Sequence, residues 1–395
     1  MRLIQLISLF LLISFLGAND NVSLLSSLKQ DKLSIDRKSV ELDNDNLKYD
    51  WVRQVIGSYS QSNFDGKKGL VDNSEMFSIS IDQPIFKSGG IYYAIQYAGA
   101  NREFMRLSTT LNEQNLIKSV ISSWLAMKKF DYQIGRQKYL IANAKIDIIR
   151  KKEQYESGFL DSSYLDQAIL TKTSLEKNLI DMESARYTKL MAFKSLSDAD
   201  YMKITPPVFK MVDKNAYINK SIAIAKQNSQ GKRAEYLKKM TISNYLPTLS
   251  LFAGYYKNKD NSNINNDSYN QIGLKLSMPL LDINRGRTIE LRQLDYLKAK
   301  LEVQDIEKEE SNLYKNYVKK VELLNKKINI VNNDAKLYDS LLLSTQDLYE
   351  AGEKTIYDVD NLKNSKQTMI LDKKIYEIEV QMVLLDIYAK MNGEI

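Results

Sequence analysis

Residues able to do acid–base or metal chemistry are few in this sequence. Neither histidine nor cysteine occurs among its 395 residues. That removes the usual general base near neutral pH, the commonest metal ligand, and every thiolate or disulfide. Carboxylates remain, and adjacent acids such as Glu309 and Glu310 are the raw material of general acid–base work. Both stand in a strongly charged run, however, and are read as a solvated helix face. No catalytic set, cofactor site or resident metal site is expected, and the chain is read as a non-enzyme. Its 56 basic and 49 acidic residues leave a formal charge of +7, spread along the chain rather than gathered. Nucleic acid is therefore not an expected partner.

The first residues read as an address. Met1-Arg2 precedes the apolar run LIQLISLFLLISFLG, which closes on the small residues Gly17 and Ala18. An apolar core of about 15 residues suits an exported signal better than a spanning helix, which needs about 20. Cleavage is expected near Ala18, giving a signal segment 1–18. No later stretch is long and apolar enough to span a bilayer as a helix, so a membrane role would have to use strands closed into a barrel.

Five prolines, at 84, 206, 207, 247 and 279, leave two proline-free stretches of roughly 120 residues, long enough to hold very long helices. In the second, Tyr317, Val321, Leu324, Ile328, Val331, Ala335, Tyr338, Leu342, Thr345 and Tyr349 alternate in steps of four and three. In the first, Val120, Met127, Ile134, Ile141 and Ile148 recur every seven. Both patterns are coiled-coil seams. Each is broken near its middle, at Tyr155-Glu-Ser-Gly158 and at Tyr349-Glu-Ala-Gly352, where a glycine suits a helix end. Each stretch is therefore expected to fold into an antiparallel helical hairpin.

Ahead of each hairpin stands a pair of segments with strand character. Phe77, Ile79 and Ile81 alternate with Ser78, Ser80 and Asp82, as Ile272, Leu274, Leu276 and Met278 do with Gln271, Gly273, Lys275 and Ser277. One apolar and one polar face is what a barrel strand between lipid and water requires. The expected pairs are 52–60 with 77–83 and 249–256 with 271–278, joined by polar loops at 61–74 and 257–269. The whole strand-strand-helix-helix unit repeats at about 195 residues. The fold class is thus mainly α with a small β part. A first repeat is expected at 19–196 with its tip near 155–166, an equatorial linker at 197–230, and a second repeat at 231–395 with its tip near 349–361.

The corner sequences QPIFKSGG and MPLLDINRG, the breaks YESGFLDSSYLDQA and YEAGEKTIYDVDNL, and NYLPTLSLFAGYY ahead of the second strand pair together resemble the TolC family of outer-membrane channels. That resemblance implies a homotrimer in which each copy gives four strands to one twelve-stranded barrel and its helices to a periplasmic α-barrel. It implies an exit duct for a tripartite efflux or type I secretion system, set in outer-membrane lipid and fed by a periplasmic adaptor and an inner-membrane pump. It places adaptor contacts at the tip turns, Tyr155, Gly158, Tyr349 and Gly352, although turn geometry alone would also account for the glycines. Asp358 falls where the family carries a pore-constricting carboxylate, with Asp360 two residues on; three copies would favour cations and could hold a metal ion. Both are equally readable as acids at a helix start. Asn361 and Tyr164 depart from the family pattern, so a closing latch must differ in its partners; Lys354 stands where the family often has a basic latch residue and could pair across subunits with Asp161 or Asp166. A periplasmic adaptor or a secreted coiled-coil structural protein would share the heptads but leave the strand duplication unexplained.

Overall fold

The computed structural model describes residues 24–65, 71–260 and 268–393; the expected signal segment lies outside them. Eleven elements follow in order: α1 (Ser27–Tyr49), β1 (Ile56–Asp65), β2 (Val71–Phe86), α2 (Gly90–Glu156), α3 (Ser162–Lys194), α4 (Lys214–Lys220), α5 (Ile222–Ser243), β3 (Thr248–Asp260), β4 (Ser268–Ser277), α6 (Arg285–Glu350) and α7 (Ile356–Tyr388). The duplication is visible in their lengths. Helices α2 and α6 have 67 and 66 residues, and α3 and α7 have 33 each. None contains a proline, so no ring interrupts their hydrogen-bond ladders.

The strands form one antiparallel sheet in the order β1-β2-β3-β4. Pairing of β2 with β3 joins the two repeats, Ile79 opposite Tyr255 and Ile81 opposite Ala253. Strand limits differ from the sequence expectation. The backbone N–H of Arg53 is held by the Gln83 side chain at 2.8 Å, so the ladder starts only at Ile56. At the far end, residues 61–65, 71–74 and 257–260, expected in loops, pair within the sheet. These strand ends have lost the alternation of apolar and polar residues, which reports burial of one face and not hydrogen bonding. The loop residues 66–70 and 261–267 lie outside the described residues. The expected linker boundary at 230 falls inside α5, where Gly231 is helical and meets only Val303 of α6.

The chain clusters into two compact units. One contains Leu116–Val208 and Leu324–Met382. In it α2 contacts α3 through Arg186 Nε to Asp131 Oδ1 (2.5 Å) and Gln137 Nε2 to the Leu175 carbonyl (2.8 Å). On its other side α2 meets α7, and α7 meets α6 through Lys366–Asp339 and the Lys327 ammonium over the Tyr376 ring. The helix order is α3-α2-α7-α6. Among the heptad residues Val120, Met127, Ile141 and Val331 are buried, as a seam requires.

The other unit contains Lys32–Asn115 and Phe209–Leu323, including the sheet. Its helix order is α1-α2-α5-α6. Asn101 Nδ2 donates to Asn44 Oδ1 at 2.8 Å between α1 and α2, with both side chains buried. Cations on α5 lie over rings on α2, Arg233 over Phe104 (4.6 Å) and Lys239 over Tyr93 (5.5 Å). Gln227 bonds Glu302 at 2.8 Å between α5 and α6. Each unit thus ends in two outer helices.

Candidate functional site: the helical turns and the two faces of the sheet

The two Tyr-x-x-Gly breaks adopt one geometry. Gly158 N–H donates to the Tyr155 carbonyl (2.9 Å) and Phe159 N–H to that of Gln154 (2.8 Å); Gly352 does the same to Tyr349 (2.9 Å) and Glu353 to Leu348 (2.9 Å). This double bond to the last helical turn is the Schellman cap. It needs a left-handed residue, and the glycines sit at φ +72° and +79°. A Cβ at either would meet nothing, so the requirement is conformational and not spatial. Tyrosine contributes its carbonyl to the cap while its side chain stays half-exposed, 47% for Tyr155 and 42% for Tyr349. Gly158→Ala and Gly352→Ala are each expected to cost about 1 kcal/mol, confined to the turn. Tyr155→Ala and Tyr349→Ala should leave the cap intact. Hydrogen exchange of the turn amides checks both.

Asp358 is engaged within its own chain. Thr355 precedes α7, and its N–H and Oγ1 both bond Asp358 Oδ2 (3.0 and 2.8 Å) while Asp358 N–H returns to the Thr355 carbonyl (3.0 Å). The Asp358 carboxylate thus reaches back to the Thr355 N–H as the acid of a capping box does, while the threonine hydroxyl donates to that carboxylate. Arg150 adds an ion pair at 2.5 Å. The Thr355 N–H first, then its hydroxyl and Arg150, hold the Asp358 carboxyl below its ordinary range against the opposing effect of burial. Asp360 is half-exposed, with Lys363 at 3.9 Å. Asp161 caps α3 by accepting from Ser163 N–H (2.9 Å), which lowers its pKa. Asp166 and Lys354 are exposed, and Lys354 makes no ion pair among the described residues. The tips are also apolar: Phe159 is 80% exposed and Tyr164 55%.

Residue alternation splits the sheet into two chemically distinct faces. On one lie Phe77, Ile79, Ile81, Leu249, Leu251, Tyr255, Ile272, Leu274 and Leu276. On the other lie Ser58, Ser78, Ser80, Asp82, Ser250, Gln271 and Lys275, with Asp82 paired to Lys275 across the strands. From Leu249 to Tyr255 the apolar face spans roughly 20 Å along the strand at about 3.4 Å per residue, and roughly 16 Å in height at a barrel tilt of about 40°. Tyr59, Phe77 and Tyr255 close the band on the side of the hairpin ends, where the Lys259–Glu75 pair (3.6 Å) follows. On the opposite side it continues into the exposed corner of Met278, Leu280 and Leu281. No described helix is long and apolar enough to cross a membrane; the sheet carries a continuous exposed apolar face.

No protein-family model matches the sequence, and no curated protein matches it. Solved structures do match. The CmeC outer-membrane channel of Campylobacter jejuni superposes with a TM-score of 0.71 at 13% identity, over 94% of this chain and 84% of that one. VceC, an outer-membrane protein of Vibrio cholerae, gives 0.71 at 12% over 91% and 93%, and CusC gives 0.68 at 14% over 90% and 88%. The fold is TolC-like.

Two features of this TolC-like chain escaped sequence reasoning. Along α2, positions 129, 136, 143 and 150 face positions 379, 372, 365 and 358 of α7 in one antiparallel register. The rungs are Lys129–Glu379 (2.7 Å), Arg136–Asp372 (3.0 Å), Asn143 to Ser365 (3.2 Å) and Arg150–Asp358 (2.5 Å). Burial raises the Asp372 pKa, and Arg136 partly offsets it. A polar heptad of this kind fixes which residues of the two hairpins meet. It was readable as a second seven-residue period beside the apolar one. The other is Glu310, expected on a solvated face and in fact 3% exposed. It accepts from Tyr217, fully buried on α4, and from Lys390 Nζ at 2.8 Å. Burial and Glu310 together push the Tyr217 hydroxyl far up, so it stays a donor. Only the return of α4 and the C-terminal segment to α6 buries this glutamate, and no local pattern announces that.

Proposed function

We propose that the chain is one subunit of a homotrimeric outer-membrane channel that conducts cargo and catalyses no reaction. The observation that carries this reading is a sheet open at both edges with an apolar outward face. Strands β1 and β4 each leave one backbone edge unpaired, which hydrocarbon does not tolerate. Pairing β4 of one copy with β1 of the next removes both edges at once. Two copies would give eight strands, whose interior side chains fill; three give twelve and room for water. The helices support the same closure. In the unit that holds the sheet, α1 exposes Ile35, Leu42 and Tyr49 and α6 exposes Leu291, Leu294 and Leu301; in the other, α3 exposes Ile180 and Tyr187 and α6 exposes Ile330 and Leu337. Different surfaces on opposite edges make a head-to-tail interface, which closes into a ring.

In this reading the polar face lines the barrel lumen, and the tip turns, with Tyr155, Gly158, Tyr349, Gly352 and the exposed Phe159, receive a periplasmic adaptor linked to an inner-membrane pump. Neighbouring folds are outer-membrane channels, which favours this duct over an adaptor or a free coiled coil. Lys354 with Asp161 or Asp166 is the proposed latch across copies. Of the two candidate constriction acids, Asp360 is freer than Asp358, which is bound to Thr355 and Arg150. The test is native mass and bilayer conductance of protein extracted in mild detergent. A trimer with discrete channels is expected; a soluble or monomeric protein without conductance overturns the reading. In the same recordings Asp360→Asn should lower cation selectivity, while Asp358→Asn should mainly loosen the start of α7.

A further inference from the structure

A water-lined wall needs polar side chains, yet three aromatic rings lie on the polar face of the sheet. Phe252 and Tyr256 share that face of β3 with Ser250, and Tyr269 stands opposite Tyr256 on β4. The Tyr256 and Tyr269 rings stack, 5.1 Å between centroids and 19° between planes. Two glycines let the other contacts form. A Cβ on Gly273, the cross-strand partner of Phe252, would come within 2.6 Å of the Phe252 ring, and one on Gly254 within 2.6 Å of Tyr256. Glycine weakens a strand and often marks close approach of another group; here the approaching groups are these rings, lying against the sheet. Phe252 and Tyr256 border an open trough of about 1160 Å³ that also holds Asp45, Asp50, Asp82, Arg53 and Lys275. Asp82 is paired with Lys275. Asp45 and Asp50 then stand against the one guanidinium of Arg53 in the charge count of the lining, which leaves the trough net negative.

We propose that Phe252, Tyr256 and Tyr269 form a contact site for planar aromatic cations passing through the barrel. The inference rests on the shared-barrel reading, in which three copies of the patch line one pore. Ring faces attract cations through their quadrupole, flat rings stack on flat cargo, and the excess of carboxylates selects the positive sign. An aliphatic ammonium is drawn by the quadrupole and by the carboxylates but has no flat ring to stack, so stacking is what separates the two kinds of cation. The site is shallow, so it slows transit without trapping cargo.

The experiment is block of single-channel potassium current by N-methylquinolinium, compared with hexylammonium, which has the same charge and no ring. The aromatic cation is expected to block at about fivefold lower concentration, the contribution of stacking alone. In conducting channels of F252L/Y256L/Y269L, which keeps apolar bulk and removes the rings, the preference should vanish; in Y256F/Y269F it should persist. Tyr269 is 50% exposed on an outer strand, so Y269L alone should reduce the preference should the triple variant not assemble. Equal block by both cations in the parent protein, or a preference that survives the triple leucine change, overturns the inference. A parent protein that forms no channel overturns the shared barrel itself, a result distinct from a channel without preference.

Discussion

With Leu274 replaced by arginine, the protein is expected to lose its membrane-inserted oligomer. Leu274 is 65% exposed in the single chain and faces away from Lys275 and Gln271. Its cross-strand partner Leu251 lies inside the apolar band and not at its limits. An arginine near the midplane of a barrel's lipid face costs about 2–4 kcal/mol. Each copy bears that cost, a large share of a typical stability of about 5–15 kcal/mol for one domain. Parity supplies the control: Gln271→Arg, on the opposite face, inserts the same charge where water is expected and should leave assembly unchanged. Membrane flotation and native mass read both variants. A Leu274→Arg protein that floats and keeps its mass would mean that this face does not meet lipid.

The alternation that supports this contrast is fully legible in the amino-acid sequence. Ile272, Leu274 and Leu276 against Gln271, Gly273 and Lys275 is a period of two, and a face in contact with lipid has to show it. Legibility ends where that contact ends. Residues 61–65 and 257–260 pair as regularly as the rest of the sheet, but their residues do not alternate between apolar and polar, and they read as loop. The helices show the same division. Val120, Met127 and Val331 announce their seams because each packs against a neighbour at a fixed helical repeat. Glu310 announces nothing, since what buries it comes from Tyr217 and Lys390, far away in sequence.

The tips are legible in position and less so in meaning. Tyr-x-x-Gly recurs at matching offsets, and the structure gives both copies the same cap. The cap consumes the tyrosine carbonyl and the glycine conformation, leaving the ring free. Backbone geometry therefore accounts for the glycines, and any adaptor contact has to be made by the exposed rings of Tyr155, Phe159 and Tyr349. Asp358 shows how two readings of one residue coexist. Thr355 and Arg150 engage both oxygens of the carboxylate within one chain, which moves the proposed constriction toward Asp360. The α2–α7 ladder, missed because attention to apolar heptads passes over charged ones, ties Arg150 and Asp358 into a register of four rungs.

Ile330→Asp with Leu337→Asp, on the outer face of α6, is expected to leave the single chain folded and to weaken the ring severely. The two residues are 60% and 58% exposed, so neither supports its own unit. Full burial of such a side chain against a neighbouring copy is worth about 1.5–3 kcal/mol. Losing both removes roughly 3–6 kcal/mol per interface, before the added cost of burying a carboxylate. Helicity by circular dichroism should be unchanged while the oligomer dissociates at lower temperature or detergent concentration. In a head-to-tail ring each interface joins an α6 edge to an α3 edge, so Ile180→Asp with Tyr187→Asp should weaken the oligomer to a similar extent. A large effect from the α6 pair and none from the α3 pair would mean that α6 meets α6. A face-to-face contact of that kind uses one patch on both partners and stops at a dimer. It would leave β1 and β4 with open edges, and the twelve-stranded barrel could not form.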